Sequence, residues 1–234
     1  MNGKLYLIPA PIGDSDISNI IPENIKNIID SIKYYIVENV RTARRYLIKL
    51  GIKTSINDLI FYELNEHTKP EEISEFLKPI KDYNIGLISE AGVPCVADPG
   101  SVIVGLAHSM NISVVPLVGP SSILLALMAS GLNGQNFAFN GYLPVKQPEK
   151  IKKLLSLEKK SFIENQTQIF IETPYRNIQL FNDIIKICNE NTLLCIAADL
   201  TSESEFIKTK PISFWKKNIP DINKKPAIFL IHKF

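Results

Sequence analysis

Short runs of β-branched and aromatic residues alternate with helical patterns through the first half of the chain. The runs predict strands at 4–8, 34–38, 59–62, 85–88 and 112–116. The patterns between them predict helices at 23–31, 42–50, 71–81 and 102–109. A helix between two strands implies a crossover connection, so this alternation favours a mostly parallel sheet with flanking helices. The first half is therefore predicted to be an α/β domain.

The second half has a different pattern, because its last strands follow one another without a long helix between them. Strands are predicted at 137–141, 168–172, 193–198, 205–209 and 227–232, and helices at 121–129, 149–157 and 178–188. Such an order favours a mixed sheet. Pro116, Gly119 and Pro120 interrupt regular structure between the halves. We predict two α/β domains, at 1–117 and 118–234.

Charge and hydropathy exclude several classes of protein. The formal net charge of +2 and the isoelectric point near 8.3 fall short of the value above about 9 that is typical of dedicated nucleic-acid binders. Any contact with RNA must therefore be local. The longest apolar stretch, at 123–132, is interrupted by Ser130 and Gly131 and is shorter than the roughly 18 residues of a membrane span. With no signal peptide recognised, we expect a cytoplasmic protein without membrane contact.

The cysteines and histidines give no sign of a metal site. Cys95, Cys188 and Cys195 lack CxxC spacing, and the three histidines stand alone in the sequence. Reduced thiols are favoured over a disulfide framework or a zinc site. We therefore predict no bound metal.

Three loops rich in glycine and proline directly follow predicted strands. They lie at 9–13, 89–100 and 118–122. Ligands of open α/β sheets bind beyond the carboxyl ends of the strands, so these loops are candidates for one shared binding site. Neither GxGxxG nor GxxxxGK[ST] nor GxSxG occurs. These absences disfavour a dinucleotide enzyme, a P-loop nucleotide hydrolase and a serine hydrolase.

Seven segments, in order along almost the whole chain, resemble the motifs of one known family. The chain has LYLIPAPIG at 5–13 for LYLVPTPIGN, ENVRT at 38–42 for EDTRT, EAGVP at 90–94 for DAGTP, ADPG at 97–100 for SDPG, VPLVGPSS at 115–122 for VVPLPGPSA, GYLP at 141–144 for GFLP, and ETPYR at 172–176 for ESPHR. By these motifs the chain resembles the tetrapyrrole methylase superfamily. Within that superfamily it is similar to the ribosomal RNA small-subunit methyltransferase I family.

This resemblance implies a fold, a cofactor and a substrate. The implied protein has two α/β domains in the tetrapyrrole methylase-like fold, forms a homodimer, and holds S-adenosylmethionine in the cleft between its domains. Its implied activity is methylation of a cytidine ribose 2′-hydroxyl in the 16S ribosomal RNA of the small subunit. The residues implied to bind the cofactor are Ile12, Val93, Val96, Ser121, Ser122, Ile171, Leu200 and Ala227.

Methyl transfer to a ribose hydroxyl needs alignment of the reacting atoms and a group that accepts the hydroxyl proton. The candidate acceptors are Glu38, Glu90 and Asp98, with His67 less favoured. Asp98 also suits a purely structural role, in which its carboxylate accepts backbone N–H groups of the Asp-Pro-Gly turn. We predict Glu38, Asp98 and Arg41 as catalytic residues.

Three arginines, one just before the predicted helix at 42–50 and two within it, are candidates for contacts with RNA phosphates. Arg41, Arg44 and Arg45 share one face by their i, i+3 and i+4 spacing. We expect Arg41, Arg44 and, in the second half, Arg176 to bind substrate, and Arg45 to be solvated.

Two alternatives to this function stay open. One is C-methylation of a tetrapyrrole, and the other is a silent RNA-binding protein that holds the cofactor as a structural ligand.

Overall fold

The computed structural model describes residues 3–65 and 67–234. The chain forms two compact units, one reaching to Ser121 and the other running from Ser122 to Phe234. The boundary predicted after residue 117 lies slightly earlier, in the loop between the last strand of the first unit and the first helix of the second.

The first unit contains a five-stranded sheet. Its strands are β1 (Leu5–Ile8), β2 (Tyr34–Val37), β3 (Ile60–Glu63), β4 (Ile85–Ile88) and β5 (Val114–Pro116). They are ordered β3-β2-β4-β1-β5, and every neighbouring pair is parallel. The predicted parallel sheet is confirmed. Because β4, β1 and β5 are neighbours, the loops that follow them leave the same edge of the sheet side by side.

Helices cover both faces of this sheet. They are α1 (Asn24–Ile29), α2 (Val40–Leu50), α3 (Pro70–Phe76) and α4 (Gly100–Ser109), with short 3₁₀ helices at Ile17–Asn19, Ile56–Asp58 and Lys78–Lys81. Tyr35 packs in one core with Leu47 of α2, and its neighbour Ile36 packs in the opposite core with Ile103 of α4. Burial on both faces explains why the strands are apolar runs rather than alternating patterns.

The predicted helix at 71–81 is in fact two shorter segments. The α-helix ends at Phe76 and a 3₁₀ helix follows at Lys78–Lys81. Pro79 is the cause, because proline disfavours the α conformation of the residue before it and cannot donate a backbone hydrogen bond.

The second unit contains a mixed five-stranded sheet, as predicted. Its strands are β6 (Phe137–Tyr142), β7 (Thr167–Ile171), β8 (Leu193–Ala198), β9 (Phe206–Pro211) and β10 (Ala227–His232). The order is β6-β7-β10-β8-β9. Only the β6–β7 pair is parallel, and the other three pairs are antiparallel.

Helices again lie on both faces of this second sheet. They are α5 (Ser122–Ser130), α6 (Gln147–Glu164), α7 (Asn177–Ile187) and α8 (Ile212–Trp215), with a 3₁₀ helix at Pro174–Arg176. Ala126 of α5 packs with Ile169 in one core, whereas Phe181 of α7 and Trp215 of α8 pack with Phe170 in the other. Within the described residues, no helix is both long and apolar enough to span a membrane.

Candidate functional site

The three predicted loops come together at the carboxyl edge of the first sheet. Ala10, in the loop after β1, and Gly92, in the loop after β4, exchange two backbone hydrogen bonds. The Ala10 N–H donates to the Gly92 carbonyl at 2.8 Å, and the Gly92 N–H donates to the Ala10 carbonyl at 3.0 Å. Two of the three loops are therefore tied directly to each other.

Glycines allow the third loop to pack against the other two. A Cβ on Gly119 would lie 2.1 Å from the Pro9 Cβ, which is far inside any real carbon–carbon contact. Gly92 has a φ of +73°, and a Cβ there would lie 3.2 Å from the Pro120 carbonyl oxygen. Only glycine fits at Gly119, and the left-handed backbone favours it at Gly92. These contacts join all three loops within the first unit.

The middle loop holds two non-glycine residues in the left-handed region, Cys95 at φ +70° and Ala97 at φ +63°. Such strain is concentrated at functional sites in proteins. Val93 is half-buried and Val96 is exposed on either side of Cys95. Burial raises the pKa of the Cys95 thiol to about 11, with the charge of Asp98 adding to the effect. The thiol is therefore protonated at neutral pH and is not a nucleophile.

Carboxylates of two loops meet beside this strained segment. Glu38 follows β2, and its Oε1 accepts the Glu90 backbone N–H at 3.2 Å. Burial raises the pKa of Glu38, and the charges of Asp98 and Glu90 raise it further against the opposing effect of that hydrogen bond. Glu38 and Asp98 line the same small cavity. A carboxylate with a raised pKa is a better proton acceptor than an ordinary one.

Asp98 has both a structural contact and a free acceptor atom. Its Oδ1 accepts the Gly100 backbone N–H at 2.7 Å, which is the turn contact expected of an Asp-Pro-Gly segment. Its Oδ2 is buried and has no hydrogen-bond partner among the residues that the structure describes. His67 is exposed beyond the end of β3.

The helix α2 is fixed at both ends by its sequence. The Asn39 side chain accepts the Thr42 backbone N–H at 3.1 Å, so asparagine serves as the N-cap where the family motif has aspartate. Gly51 ends the helix with a φ of +76°. The arginines of α2 are thereby held in a defined register above the sheet.

The three arginines of α2 have different surroundings in the structure. Arg44 donates to the Asn57 side chain at 2.6 Å, and its guanidinium lies 5.9 Å from the centre of the Phe61 ring. Arg45 and Arg41 are exposed and have no hydrogen bond or ion pair with described residues. Arg45 is exposed, in agreement with the expectation that it is solvated, and it also lines a pocket. Substrate binding by Arg41 and Arg44 stays a prediction.

That pocket was not predicted from the sequence. It has a volume of ≈ 230 Å³ and lies between α2 and the loops that follow β1 and β4. Tyr46 stands in its wall, with the hydroxyl donating to the Pro9 carbonyl at 2.5 Å. The sequence signal that could have indicated a cationic site here is the spacing of Arg41, Arg45 and Lys49. Their i, i+4 and i+8 positions place three cations in one row along the helix.

The predicted residues of the second unit lie at one edge of its sheet. Ile171 ends β7 and pairs with Ile228, while Ala227 begins β10 and pairs with Ala198. Leu200 follows the end of β8 at this same edge. Non-glycine residues with positive φ also occur here, at Asp199, Thr201 and Lys224. Ser122, the remaining predicted residue of this unit, begins α5.

Glu172 and Arg176 form a partly buried ion pair just after β7. The Glu172 side chain is only 1% exposed, and its Oε1 accepts Arg176 Nη2 at 2.7 Å, Arg176 Nε at 3.0 Å and the Thr173 backbone N–H at 2.7 Å. Its Oε2 is buried and has no hydrogen-bond partner in the described part of the chain. Glu172 thus anchors the loop and orients Arg176, whose side chain is 38% exposed.

No cluster of three or more histidine, cysteine, aspartate or glutamate side chains suited to a metal occurs in the part of the chain that the structure describes. All three cysteines are unpaired.

Comparison with known proteins identifies the family. No family model matches the chain. A curated protein of Buchnera aphidicola from Schizaphis graminum, named ribosomal RNA small subunit methyltransferase I, is 32% identical to it over 98% of this chain and 78% of that protein. A protein of the same name from Vibrio cholerae is 30% identical over 98% of this chain and 77% of that protein. The chain belongs to the ribosomal RNA small subunit methyltransferase I family. As a member of that family, it is a methyltransferase.

Solved structures share the fold at low sequence identity. The methyltransferase CobJ matches 99% of this chain and 94% of its own with a TM-score of 0.66 and 13% identity. The structure of the cobalt precorrin-4 methyltransferase CbiF covers 98% of this chain and 94% of its own, with a TM-score of 0.61 and 15% identity. The methyltransferase I family member described here therefore has the fold of the tetrapyrrole methylases, as the sequence motifs implied.

Proposed function

We propose that this protein transfers a methyl group from S-adenosylmethionine to a ribose 2′-hydroxyl of small-subunit ribosomal RNA, with 16S RNA as its substrate. The observation that carries the proposal is the 32% identity, over almost the whole chain, to a relative named for methylation of small-subunit ribosomal RNA. The convergence of the glycine-rich loops in the first unit supports it.

The residues present suit such a cofactor. S-adenosylmethionine supplies an electrophilic methyl group on a positively charged sulfur. The glycine-rich loops offer backbone groups close to small side chains, and each unit has a buried acceptor without a partner among the described residues, Asp98 Oδ2 in the first and Glu172 Oε2 in the second. Such atoms suit the hydroxyl and ammonium donors of the cofactor. The residues proposed to hold it are Ile12, Val93, Val96, Ser121, Ser122, Ile171, Leu200 and Ala227.

We assign proton transfer to Glu38. A ribose hydroxyl is a weak nucleophile until its proton leaves, and a positioned base contributes roughly 10²- to 10⁴-fold to the rate. The raised pKa of Glu38 makes it a stronger base than an ordinary carboxylate, and Asp98 lies in the same cavity. The negative charges of Glu38, Glu90 and Asp98 also favour a cationic donor at this edge of the sheet.

Two arginines, one in each unit, are proposed to bind RNA. Arg41 is exposed, has no hydrogen bond or ion pair with described residues, and is available for an RNA phosphate. Arg176 is pre-oriented by Glu172, which lowers the entropy lost when its guanidinium binds a phosphate. We expect Arg41→Ala to leave cofactor affinity unchanged and to lower the rate of RNA methylation. Calorimetry with S-adenosylmethionine and a methylation assay measure the two, and equal loss of both would reject the assigned role.

The proposal is tested with small ribosomal subunits from cells that lack the protein. Incubation with S-adenosylmethionine labelled in its methyl group should transfer label to the RNA, and mass mapping should find it on one ribose. Label in an added tetrapyrrole, or cofactor binding without any transfer, would instead support the two alternatives.

A homodimer is part of the proposal, since the family resemblance implies one. Light scattering of the purified protein tests it, and a mass of one chain at micromolar concentration would contradict it.

A further inference from the structure

The pocket beside α2 has an apolar interior and a cationic rim. Ala10, Ile17, Val37 and Ile88 contribute apolar wall, while Arg45 and Lys49 contribute the positive charges. At ≈ 230 Å³ it is smaller than the roughly 300–1,000 Å³ pockets that take drug-sized ligands. It has room for one base or one ribose, and it is too small for a tetrapyrrole macrocycle.

The two rim cations are held only weakly by the described residues. Arg45 has no hydrogen bond or ion pair with described residues. Lys49 makes only loose contacts with the loop after β1, at 3.4 Å to the Ser15 carbonyl and 3.9 Å to the exposed Asp14 carboxylate. Glu90 is the one carboxylate among the described lining residues, and the nearby carboxylates of Asp14 and Asp16 lie in the loop after β1 on the side of Lys49.

The position of the pocket relates it to the proposed chemistry. It shares Val37, Ile88 and Ser89 with the small cavity that Glu38 and Asp98 line. The pocket therefore adjoins the cavity of the proposed proton acceptor. No part of this arrangement depends on the second unit.

We propose that this pocket receives one unpaired nucleotide of the RNA substrate, with its base or sugar on the apolar wall and its phosphate on Arg45 and Lys49. The inference rests on the proposed function, whose substrate group it assigns to a site. Enzymes that act on nucleotides commonly take the target out of its stack into such a pocket, and single-stranded RNA offers it already unstacked. Arginine and lysine are the usual phosphate ligands.

The test is the double variant Arg45→Ala/Lys49→Ala, compared with Lys152→Ala/Lys159→Ala as its matched control. The control pair is exposed on α6, makes no ion pair, and changes the net charge by the same amount. Affinity for a single-stranded oligonucleotide of small-subunit ribosomal RNA is measured by filter binding over a range of salt concentrations. Methylation of small ribosomal subunits and calorimetry with S-adenosylmethionine are measured in parallel.

The pocket variant should bind RNA on the order of tenfold more weakly, and the salt dependence of log K should fall by about 0.7 for each phosphate that the variant no longer binds. The affinity of the pocket variant for S-adenosylmethionine should equal that of the wild type. The control variant should keep wild-type affinity for both RNA and S-adenosylmethionine. The charge-retaining Arg45→Lys/Lys49→Arg should restore most of the salt dependence. It also separates loss of charge from any loss of folding in the alanine variant.

Failure of this inference differs from failure of the proposed function. If the wild type methylates RNA and the pocket variant keeps its affinity and salt dependence, the pocket assignment is wrong and the function stands. Equal loss of RNA and cofactor binding, or an equal effect of the control pair, would also overturn the assignment. A wild type that neither binds nor methylates RNA would refute the proposed function itself.

Discussion

Gly119→Ala tests whether the site requires contact between the loops that follow β5 and β1. The added Cβ would lie 2.1 Å from the Pro9 Cβ and 2.3 Å from its Cγ, whereas ordinary contacts begin at 3.4 Å. The obstacle is a rigid ring, so the loops must separate by roughly 1 Å or more. Overpacking of this kind costs about 1–3 kcal/mol. We expect the melting temperature to fall by several degrees.

The functional effect should exceed the effect on stability. A displacement of about 1 Å at a site that positions reacting groups lowers the rate on the order of 10²-fold. We therefore expect a loss of that size in methylation of small ribosomal subunits, together with weaker binding of S-adenosylmethionine. Circular dichroism melting, calorimetry and a labelled methyl assay measure the three quantities on the same preparation.

Gly105→Ala is the matched control for this substitution. Gly105 lies in α4, and no heavy atom lies within 4 Å of the position of an added Cβ. Alanine inside a helix stabilises it by roughly 0.5–1 kcal/mol relative to glycine, so this variant should melt slightly higher and keep its activity. A Gly119→Ala protein with wild-type melting temperature and activity would refute the role given to the loop contact.

Three further substitutions test single contacts. Glu38→Gln keeps a hydrogen-bond acceptor but removes a carboxyl group whose pKa burial raises above 4.5. The loss of stability that this group causes as the pH rises above 4.5 should therefore disappear, and methylation should fall at least 10²-fold. Urea unfolding at several pH values measures the first effect, and an unchanged methylation rate would exclude Glu38 as the base. Tyr46→Phe leaves the Pro9 carbonyl without its donor and should cost about 1–3 kcal/mol in urea unfolding, against no change if the hydroxyl is dispensable. Lys150→Met should cost about 3 kcal/mol in urea unfolding, because it removes the buried ammonium that lies 3.0 Å from Asp183 Oδ2 and leaves the Gln147 side-chain amide as the remaining partner of that carboxylate among the described residues. A stability equal to the wild type would mean that the pair is neutral.

The inner strands of the first sheet, β1, β2 and β4, were predictable because they are largely buried. They are flanked by helices, so their sequences are continuous apolar runs that local reading detects. Helix ends were harder to predict. The helix α6 is predicted at 149–157 but continues to Glu164. The prediction ends too early because Phe162 and Ile163 are exposed and do not follow the pattern of a buried face. The four-residue helix α8 is too short to leave a periodic signal.

The candidate site was predictable where it depends on the backbone and not where it depends on distant partners. Glycines after strands indicate loops that approach closely, and Gly92 and Gly119 do so. Helical spacing groups Arg41, Arg44 and Arg45 but cannot tell which of them another element engages. The partner of Arg44 is Asn57, thirteen residues away in sequence and beyond the end of the helix. Only the tertiary structure distinguishes an arginine held by the protein from one left for a ligand.

The charge pattern of α2 gives a physical reason to regard its free cations as functional. Arg41, Arg45 and Lys49 follow one another at i+4 spacing, and like charges so placed destabilise a helix by about 0.2–0.5 kcal/mol per pair. A glutamate at the middle position would turn both repulsive pairs into attractive ones. The fold gains nothing from Arg45, which has no partner in the described residues. A position that lowers stability without serving the fold is typical of a binding site, and the pocket it lines lies beside the carboxylates assigned to catalysis.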